Sequence, residues 1–231
     1  MIKIENTHVV GWEPAIRGMR NPMNSWAKSD SKFARCPCED FGDTITCCYI
    51  GENDLKLAKK LADAGSVHGK FMRMITVYVD ITAPLYWWKE FDTYKVGTVA
   101  NSCSTMHKIA DKEFTLDDFS HDHLDIYRDN ILTMADDKEY RFSSMDFLEL
   151  EIDVLNQCRK RYLETKAKSD WWQMIQLLPS SYNQKRTVML NYEVLRGIYI
   201  YRKDHKLDEW IDFCKWIETL PYSYLITGEE N

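Results

Sequence analysis

The segment that most constrains the fold is the run over residues 71–81, FMRMITVYVDI, which leads through Ala83-Pro84 into an aromatic stretch. Alternate residues of this run fall on opposite faces, and a two-residue period is typical of a β-strand. The following LYWWKEF spaces its apolar side chains at helical intervals, and proline suits the start of a helix. The sequence therefore predicts a strand that enters an aromatic helix.

The rest of the chain predicts further strands and helices, with no internal repeat or linker. Strands are expected over residues 2–10, 44–50 and 186–192. Helices are expected over residues 13–20, 54–64 after an Asn53 cap, 144–168, 171–178 after a Ser169 or Asp170 cap, 193–203 and 207–219. Residues 23–43 read as a long loop, and residues 107–141 as short surface helices. We expect one α+β domain over residues 1–231, with a mixed sheet flanked by helices.

The charge balance disfavours nucleic acid as a partner. The chain has 30 Lys and Arg against 36 Asp and Glu, a net charge of -6, so no chain-wide positive field can hold a phosphate backbone. It also has no signal-like leader and no apolar run of about 18 residues. Its seven cysteines are an odd number and suit reduced thiols. We therefore expect a cytoplasmic protein with no membrane partner.

Three short functional motifs are absent. There is no G-x-G-x-x-G and no G-x-x-x-x-G-K-[ST], the loops that bind phosphate through backbone groups, and no G-x-S-x-G, the nucleophile turn of hydrolases. A phosphate site in this chain must therefore be built from convergent cationic side chains. The candidates are Arg17, Arg20, Arg73, Lys95, Arg186 and Arg202.

Two clusters raise the question of a metal. Cys36, Cys38, Cys47 and Cys48 place four thiols close in sequence, but C-x-C with C-C departs from the usual C-x2-C pairs of zinc sites. His121 and His123 flank an aspartate in an acidic stretch, where a solvated surface explains them better. We assign no metal site.

From residue 71 onward, the order of segments resembles the flavin-dependent thymidylate synthases. In MITVYVDITAPLYWWKEFDTYKVGTVANSCSTMHK, a strand and helix precede Thr93-Tyr94-Lys95, where the family has Arg-His-Arg. The family's serine falls on Cys103 by strict spacing, or on Ser104 by the local pattern N-x-x-S-T that begins at Asn101. We prefer Ser104. Near the N-terminus, AIRGMR is similar to the family's small-residue and arginine segment.

The resemblance continues in LLPSSYNQKRTVMLNYEVLRGIYIYRKDHKLDEWIDFCKWI, which has the family's Leu-Pro turn, strand and closing helices. Asn191 corresponds to a flavin contact and Arg202 to the nucleotide-binding arginine. Besides the arginine replaced by Thr93, three further family arginines are replaced here, by Met106, Ile175 and Glu193. A glutamate near flavin phosphates opposes their binding.

The resemblance implies a thymidylate synthase-complementing protein-like fold, FAD as cofactor, dUMP as substrate, folate and NADPH as further partners, and a homotetramer. It implies that Ser104 and Arg202 are catalytic, that Tyr94, Lys95, Asn101 and Asn191 bind the cofactor, and that Arg17, Arg20, Ser104, Thr105 and Arg202 bind the substrate. The replaced arginines keep a second reading open. In this second reading, the chain is a non-catalytic nucleotide-binding or structural protein of the same fold that has lost flavin binding.

Overall fold

The computed structural model describes residues 2–37, 44–133 and 137–228, and only the backbone at residues 34–37 and 44–48. Both helices and strands form, which confirms the α+β class. The strands are β1 (Lys3–Val10), β2 (Lys32–Pro37), β3 (Thr44–Tyr49), β4 (Thr76–Pro84), β5 (Val99–Ser102), β6 (Asn130–Thr133), β7 (Glu139–Phe142) and β8 (Asn183–Asn191). The helices are α1 (Trp12–Arg20), α2 (Glu52–Asp63), α3 (Leu85–Phe91), α4 (Thr105–Lys108), α5 (Ser144–Thr165), α6 (Lys168–Leu177), α7 (Tyr192–Arg202), α8 (Asp208–Glu218) and α9 (Tyr224–Thr227). No described helix is both long and apolar enough to cross a membrane.

The principal sheet joins strands that are distant in the chain. Its order is β1, β4, β8 and β5. Two further strand pairs are antiparallel hairpins. β2 pairs with β3 so that Lys32 faces Tyr49, and β6 pairs with β7 so that Asn130 faces Phe142.

The chain divides into two compact units. Unit 1 comprises Met1–Lys3, Ile81–Thr93 and Asn101–Arg186, and unit 2 comprises Ile4–Asp80, Tyr94–Ala100 and Thr187–Asn231. The divisions fall inside β1, β4, β5 and β8, so each of these strands contributes residues to both units. The single domain expected over residues 1–231 stays a prediction.

Unit 1 is organised by α5, which packs against α6. A capping box starts α5: the Ser143 hydroxyl accepts from the Asp146 N–H at 3.0 Å, and the Asp146 carboxylate accepts from the Ser143 N–H at 2.8 Å. The buried side chains of α5, which form a stripe along its inner face, pack into a hydrophobic cluster. The cluster consists of Ile109, Ala110, Phe114, Phe119, Leu148, Ile152, Leu155, Cys158 and Met174. Burial of this stripe holds the helix in place.

Unit 2 is organised by α7, which contacts α8, α9 and the 3-10 turn Gly69–Met74. At the start of α7, Tyr192 is fully buried and packs edge to face on Trp12, with ring centroids 5.3 Å apart. Its hydroxyl donates to the Pro221 carbonyl at 2.5 Å, so the buried polar group is satisfied. Burial also raises the pKa of Tyr192.

The strand predicted over residues 71–81 starts later than expected, because the turn Gly69–Met74 precedes β4. Gly11 lies against this turn with φ +93°, and a Cβ there would stand 2.1 Å from the Met74 carbonyl oxygen. The alternation itself is confirmed within β4. Val77 and Val79 are buried, whereas Tyr78 on the other face is 44% exposed.

Two regions that were predicted to have no strands contain strands in the structure. The loop predicted over residues 23–43 is wrong at β2, and the region 107–141 contains β6 and β7 besides its short helical turns. Each of these strands pairs with its hairpin neighbour, and this pairing overrides a weak local pattern.

Two predicted helix caps are wrong. The N-cap of α2 is Gly51 rather than Asn53, and that of α6 is Ala167 rather than Ser169 or Asp170. A remote side chain replaces the local cap of α2: the Asp30 carboxylate accepts from the backbone N–H groups of Asn53 at 2.9 Å and Asp54 at 3.1 Å.

Candidate functional site

Four of the predicted site residues lie on or beside α7 in unit 2: Tyr94, Lys95, Asn191 and Arg202. The Tyr94 hydroxyl accepts from Arg202 Nε, at the last residue of α7, at 2.9 Å. Gly97 lies at the other end of the helix, because a Cβ on Gly97 would stand 3.0 Å from Asn191 Nδ2. The segment from Tyr94 to Gly97 therefore follows α7, and Lys95 lies between its two points of contact.

The guanidinium of Arg202 is held among aromatic rings. Its central carbon lies 4.7 Å from the ring centroid of Trp210 and 5.7 Å from that of Tyr94, both within cation–π range. Trp210 is fully buried, and Arg202 is half-buried beside it. These contacts fix the orientation of the cation before any ligand binds.

His205 adds a second nitrogen beside this cation. Its Nδ1 lies 3.2 Å from the Leu207 backbone nitrogen, and its Nε2 lies 2.9 Å from Arg202 Nη1. Both neighbouring groups are N–H donors, and a neutral imidazole accepts from only one of them at a time. His205 therefore links Arg202 to the backbone at the start of α8. The sequence patterns predicted a helix over residues 207–219 but gave Trp210 no part in a site, and they did not indicate His205.

Asn191 has two different contacts. Its Oδ1 caps α7 by accepting from the Val194 N–H at 3.0 Å, and its Nδ2 faces Gly97, whose φ is +83°. The Tyr94 carbonyl accepts from the Thr98 hydroxyl, which closes the turn around Gly97. Asn191 therefore fixes both the helix and the segment beside it.

Glu193, which stands where the resembling family has an arginine, has a partial counter-charge. Arg73 Nη2 lies 4.0 Å from Glu193 Oε1, and the side chains are 54% and 20% exposed. A pair at this distance and exposure is weak. The negative charge of the Glu193 carboxylate, at the first turn of α7, is therefore only weakly balanced by Arg73.

Arg17 and Arg20 have different environments on α1. Arg17 is exposed, whereas the Arg20 side chain is 5% exposed and its Nε donates to Asp54 Oδ1 at 2.5 Å. Arg20 Nη1 also donates to the Ser25 carbonyl at 3.3 Å. The structure thus commits Arg20 to an internal ion pair and leaves Arg17 at the surface.

Asp54 is the centre of a buried polar network. Its Oδ2 accepts from the hydroxyl groups of Ser29 and Ser31, each at 2.6 Å, and from two backbone N–H groups. Burial alone opposes ionisation, but the hydrogen bonds from Ser29, Ser31 and Arg20 outweigh it and hold the pKa of Asp54 below its ordinary value. The network ties the segment before β2 to α2.

The bend that carries Ser104 lies in unit 1. The Ser104 hydroxyl caps α4 by accepting from the His107 N–H at 3.1 Å. Asn101 and Cys103 are exposed, and Thr105 is half-buried. The Cys103 carbonyl accepts from Gln184 Nε2 at 3.0 Å, and the Cys103 N–H donates to the Lys185 carbonyl at 2.9 Å, so β8 anchors the bend.

Arg186 is fully engaged by protein groups in unit 1. Its guanidinium lies 4.1 Å from the Trp88 ring centroid, and its Nη1 donates to Asp92 at 2.8 Å. Its Nε donates to the Gln184 side chain at 3.0 Å. This candidate cation therefore stabilises the start of β8 and the end of α3.

The cysteine hypothesis lies outside what the structure describes, because Cys38 and the side chains of Cys36, Cys47 and Cys48 are not among the described groups. Among the residues that are described, no group of three or more His, Cys, Asp or Glu side chains is placed to hold a metal ion.

Comparison by sequence identifies no relative. No protein-family model matches the chain, and no curated protein matches it. Solved structures do match. The flavin-dependent thymidylate synthase ThyX from Helicobacter pylori, complexed with FAD and dUMP, superposes with a TM-score of 0.66 at 15% identity, over 98% of each chain. The chain has the flavin-dependent thymidylate synthase fold.

A second type of protein shares this fold. The UMP/dUMP methylase PolB from Streptomyces cacaoi, bound with 5-Br dUMP, has a TM-score of 0.60 at 13% identity, over 99% of this chain and 95% of the other. The thymidylate synthase fold expected from the order of segments is thereby confirmed. Within it, Ser104 belongs to unit 1 and Arg202 to unit 2.

Proposed function

We propose that this chain is an enzyme that transfers a one-carbon unit from methylenetetrahydrofolate to a dUMP-like nucleotide with the help of a reduced flavin. The placement of Arg202 carries this proposal, because Tyr94 and Trp210 hold its guanidinium in one orientation. A cation fixed in advance stabilises developing negative charge without reorganising at the moment of reaction. The FAD and dUMP bound to a thymidylate synthase of this fold support the choice of ligands.

Each site residue has a role in this proposal. Arg202 stabilises negative charge on the uracil ring or the phosphate. Ser104 and Thr105 position the pyrimidine, and because Ser104 accepts the His107 N–H, its own hydroxyl hydrogen is available to donate to the nucleotide. The exposed Arg17 contacts the substrate, while Arg20, engaged by Asp54, fixes the helix that carries Arg17.

Tyr94, Lys95, Asn101 and Asn191 would hold FAD. Lys95 is exposed and forms no ion pair with any described residue, and Asn191 Nδ2 provides a donor beside Gly97, two residues further along the chain. These groups fit an anionic cofactor. When bound, the flavin supplies methylene and hydride transfer, and the surrounding side chains orient the rings and exclude water.

Glu193 supports a second candidate function. Its carboxylate is only weakly balanced by Arg73 and opposes a flavin diphosphate at the start of α7. Thr93, Met106 and Ile175 also lack the charge that the resembling family has at these places. The alternative is a nucleotide-binding or structural protein of the same fold without flavin.

We further propose a cytoplasmic homotetramer that uses folate and NADPH. An exposed apolar stripe on α5 supports self-association, because Phe147, Leu150 and Val154 lie on one side of the helix and are 54%, 58% and 36% exposed.

Flavin binding separates the two candidate functions. Purified protein is titrated with FAD, the retained flavin is measured by absorbance, and conversion of dUMP is assayed with methylenetetrahydrofolate and NADPH. Stoichiometric flavin with methylated product supports the enzyme. Nucleotide binding without flavin supports the alternative. Two variants sharpen the test: Glu193→Gln removes the opposing charge and should tighten FAD binding, whereas Lys203→Ala at the end of α7 should leave it unchanged.

A further inference from the structure

Unit 1 contains a pocket of about 420 Å³ beside the first two turns of α5. Its lining consists of Leu124, Asn130, Phe142, Ser144, Phe147, Leu148, Glu151 and Ser181. The volume is within the range of about 300–1,000 Å³ that is typical of small-molecule sites. None of the residues assigned above to FAD or to dUMP lines this pocket.

Glu151 occupies an apolar position of α5. Phe147 and Leu148 lie one turn before it and Leu155 lies one turn after it, on the same side of the helix. The carboxylate forms no hydrogen bond or ion pair with any residue that the structure describes. Partial burial without a compensating partner raises the pKa of Glu151. A ligand that brings a positive charge removes this cost of burial.

The positive charge at the start of α5 lies on another side of the helix. Arg128 Nε donates to the Asp146 carboxylate at 3.0 Å, and Asp146 is about 140° around the helix axis from Glu151. The helix dipole acts within the first turn, whereas Glu151 is the eighth residue of α5. The pocket lining contains no lysine, arginine or histidine. Within the described part of the chain, no protein cation therefore neutralises Glu151.

The polar residues of the lining provide hydrogen-bond acceptors. Asn130 Nδ2 donates to the Phe142 carbonyl at 3.2 Å, which leaves Asn130 Oδ1 as an acceptor. The hydroxyl groups of Ser144 and Ser181 form no hydrogen bond with a described residue. One carboxylate, one amide oxygen and two hydroxyl groups match the three N–H donors of a primary ammonium group.

Two phenyl rings give the pocket an apolar wall. The ring centroids of Phe142 and Phe147 lie 6.1 Å apart, with 37° between the ring planes. The capping box of Ser143 and Asp146 fixes the turn that joins them. Such rings pack against a third aromatic ring and attract a cation to their faces. A single carboxylate beside two phenyl rings does not suit a metal ion, which needs oxygen ligands on several sides.

We propose that this pocket binds a small aromatic amine in its protonated form, with the ammonium group at Glu151 and the ring against Phe142 and Phe147. The ammonium group forms a charge-assisted hydrogen bond with the carboxylate, and the neighbouring acceptors take its other N–H groups. This inference goes beyond the proposed function and does not rest on it. Of the apolar stripe on α5, only Phe147 lines the pocket.

NMR titration at neutral pH tests this assignment. The probes are phenethylamine, phenethyl alcohol, which replaces the amine by a hydroxyl, and butylamine, which lacks the ring. The proteins are the wild type, Glu151→Gln and the control Glu149→Gln, whose carboxylate is exposed on α5 outside the pocket. We expect the wild type to bind phenethylamine at least about tenfold more tightly than either other probe. Glu151→Gln should weaken phenethylamine at least about tenfold and leave phenethyl alcohol unchanged, whereas Glu149→Gln changes neither.

The outcomes separate this inference from the proposed function. Loss of the preference for the amine in Glu151→Gln supports the pocket, whatever FAD and dUMP do. A preference that survives Glu151→Gln overturns the inference, as does equal weakening by Glu149→Gln, which assigns the effect to the net negative charge of the chain.

Two further results count against the inference. Butylamine that binds as tightly as phenethylamine overturns the aromatic body of the ligand. Absence of saturable binding to the wild type overturns the whole inference, while titrations with FAD and dUMP still decide the proposed function. Because glutamine has nearly the same shape as glutamate, circular dichroism should show an unchanged fold in both variants.

Discussion

Arg202 Nε and the Tyr94 hydroxyl oxygen are 2.9 Å apart, although the two residues are separated by 108 positions in the chain. This hydrogen bond ties the segment after α3 to the end of α7. It also explains why an arginine, and not a lysine, is suited to the position, since one guanidinium contacts Tyr94, Trp210 and His205 together.

Removal of the Tyr94 hydroxyl tests whether this bond positions the cation. Tyr94→Phe keeps the ring beside Arg202 but removes the acceptor, so we expect a loss of about 0.5–1.5 kcal/mol in unfolding free energy. We also expect dUMP affinity to fall about threefold to tenfold, because the guanidinium is less well oriented. Calorimetry and denaturant titration measure both. Full dUMP affinity in Tyr94→Phe would show that the hydroxyl plays no positioning part.

The buried Asp54 network should be a major source of stability. Asp54→Asn leaves Arg20 buried without its counter-charge, at a cost of about 3–5 kcal/mol in unfolding free energy. Asp63→Asn is the matched control on the same helix, because its carboxylate is 68% exposed and pairs with Arg196 at 3.5 Å. It should cost less than about 1 kcal/mol. Equal losses in urea titrations of the two variants would contradict this account.

The same network gives a pH dependence with a definite sign. Because the folded state lowers the pKa of Asp54, its stabilisation is complete above the unfolded pKa of about 4 and is lost as pH falls through the folded value. The difference between wild type and Asp54→Asn should therefore be constant from pH 7 to 5 and shrink in more acidic solution. A difference that grows below pH 4 is the opposite result.

Replacement of each of three glycines by alanine should change the stability of the protein by a different amount. Gly11→Ala combines φ +93° with a contact of 2.1 Å to the Met74 carbonyl, and should cost about 2 kcal/mol or more. Gly65→Ala has φ +91° in open space, so only the backbone penalty of about 1 kcal/mol applies. Gly197→Ala, within α7 and with no neighbour within 4 Å, should stabilise by about 0.5–1 kcal/mol. Thermal unfolding gives the order, and a Gly11→Ala variant as stable as Gly65→Ala would be inconsistent with the packing described.

The apolar stripe on α5 should hold copies of the chain together. Leu150→Glu places a charge in the middle of this stripe and should shift the mass measured by light scattering toward the monomer. Leu163→Glu is the control: Leu163 is 40% exposed but lies about half a turn away from Val154 on the helix. An assembly that resists Leu150→Glu would place the interface elsewhere.

Sequence patterns predicted the elements whose signals are local. The stripe of Leu148, Ile152 and Leu155 has a helical period, and α5 forms where it was expected. The alternation around Val77 likewise predicted β4. In both cases a short window contains the information that decides the structure.

Contacts between distant residues could not be read from such windows. The Arg20–Asp54 pair spans 34 positions and the Asp30 cap of α2 joins two separate segments. His205 lies in the loop after α7, and only the folded chain places it beside Arg202. The positions of Arg202 and Tyr94 were suggested by family resemblance, but the aromatic ring of Trp210 that completes their arrangement was not.

Calorimetric titration of dUMP into the wild type, Arg202→Ala and Lys203→Ala tests the nucleotide site most directly. Lys203 is the exposed neighbour of Arg202 and controls for the loss of one positive charge. We predict that Arg202→Ala weakens dUMP binding at least about tenfold while Lys203→Ala changes it less than about twofold. Equal affinity in all three proteins would contradict the assignment of Arg202 to the nucleotide.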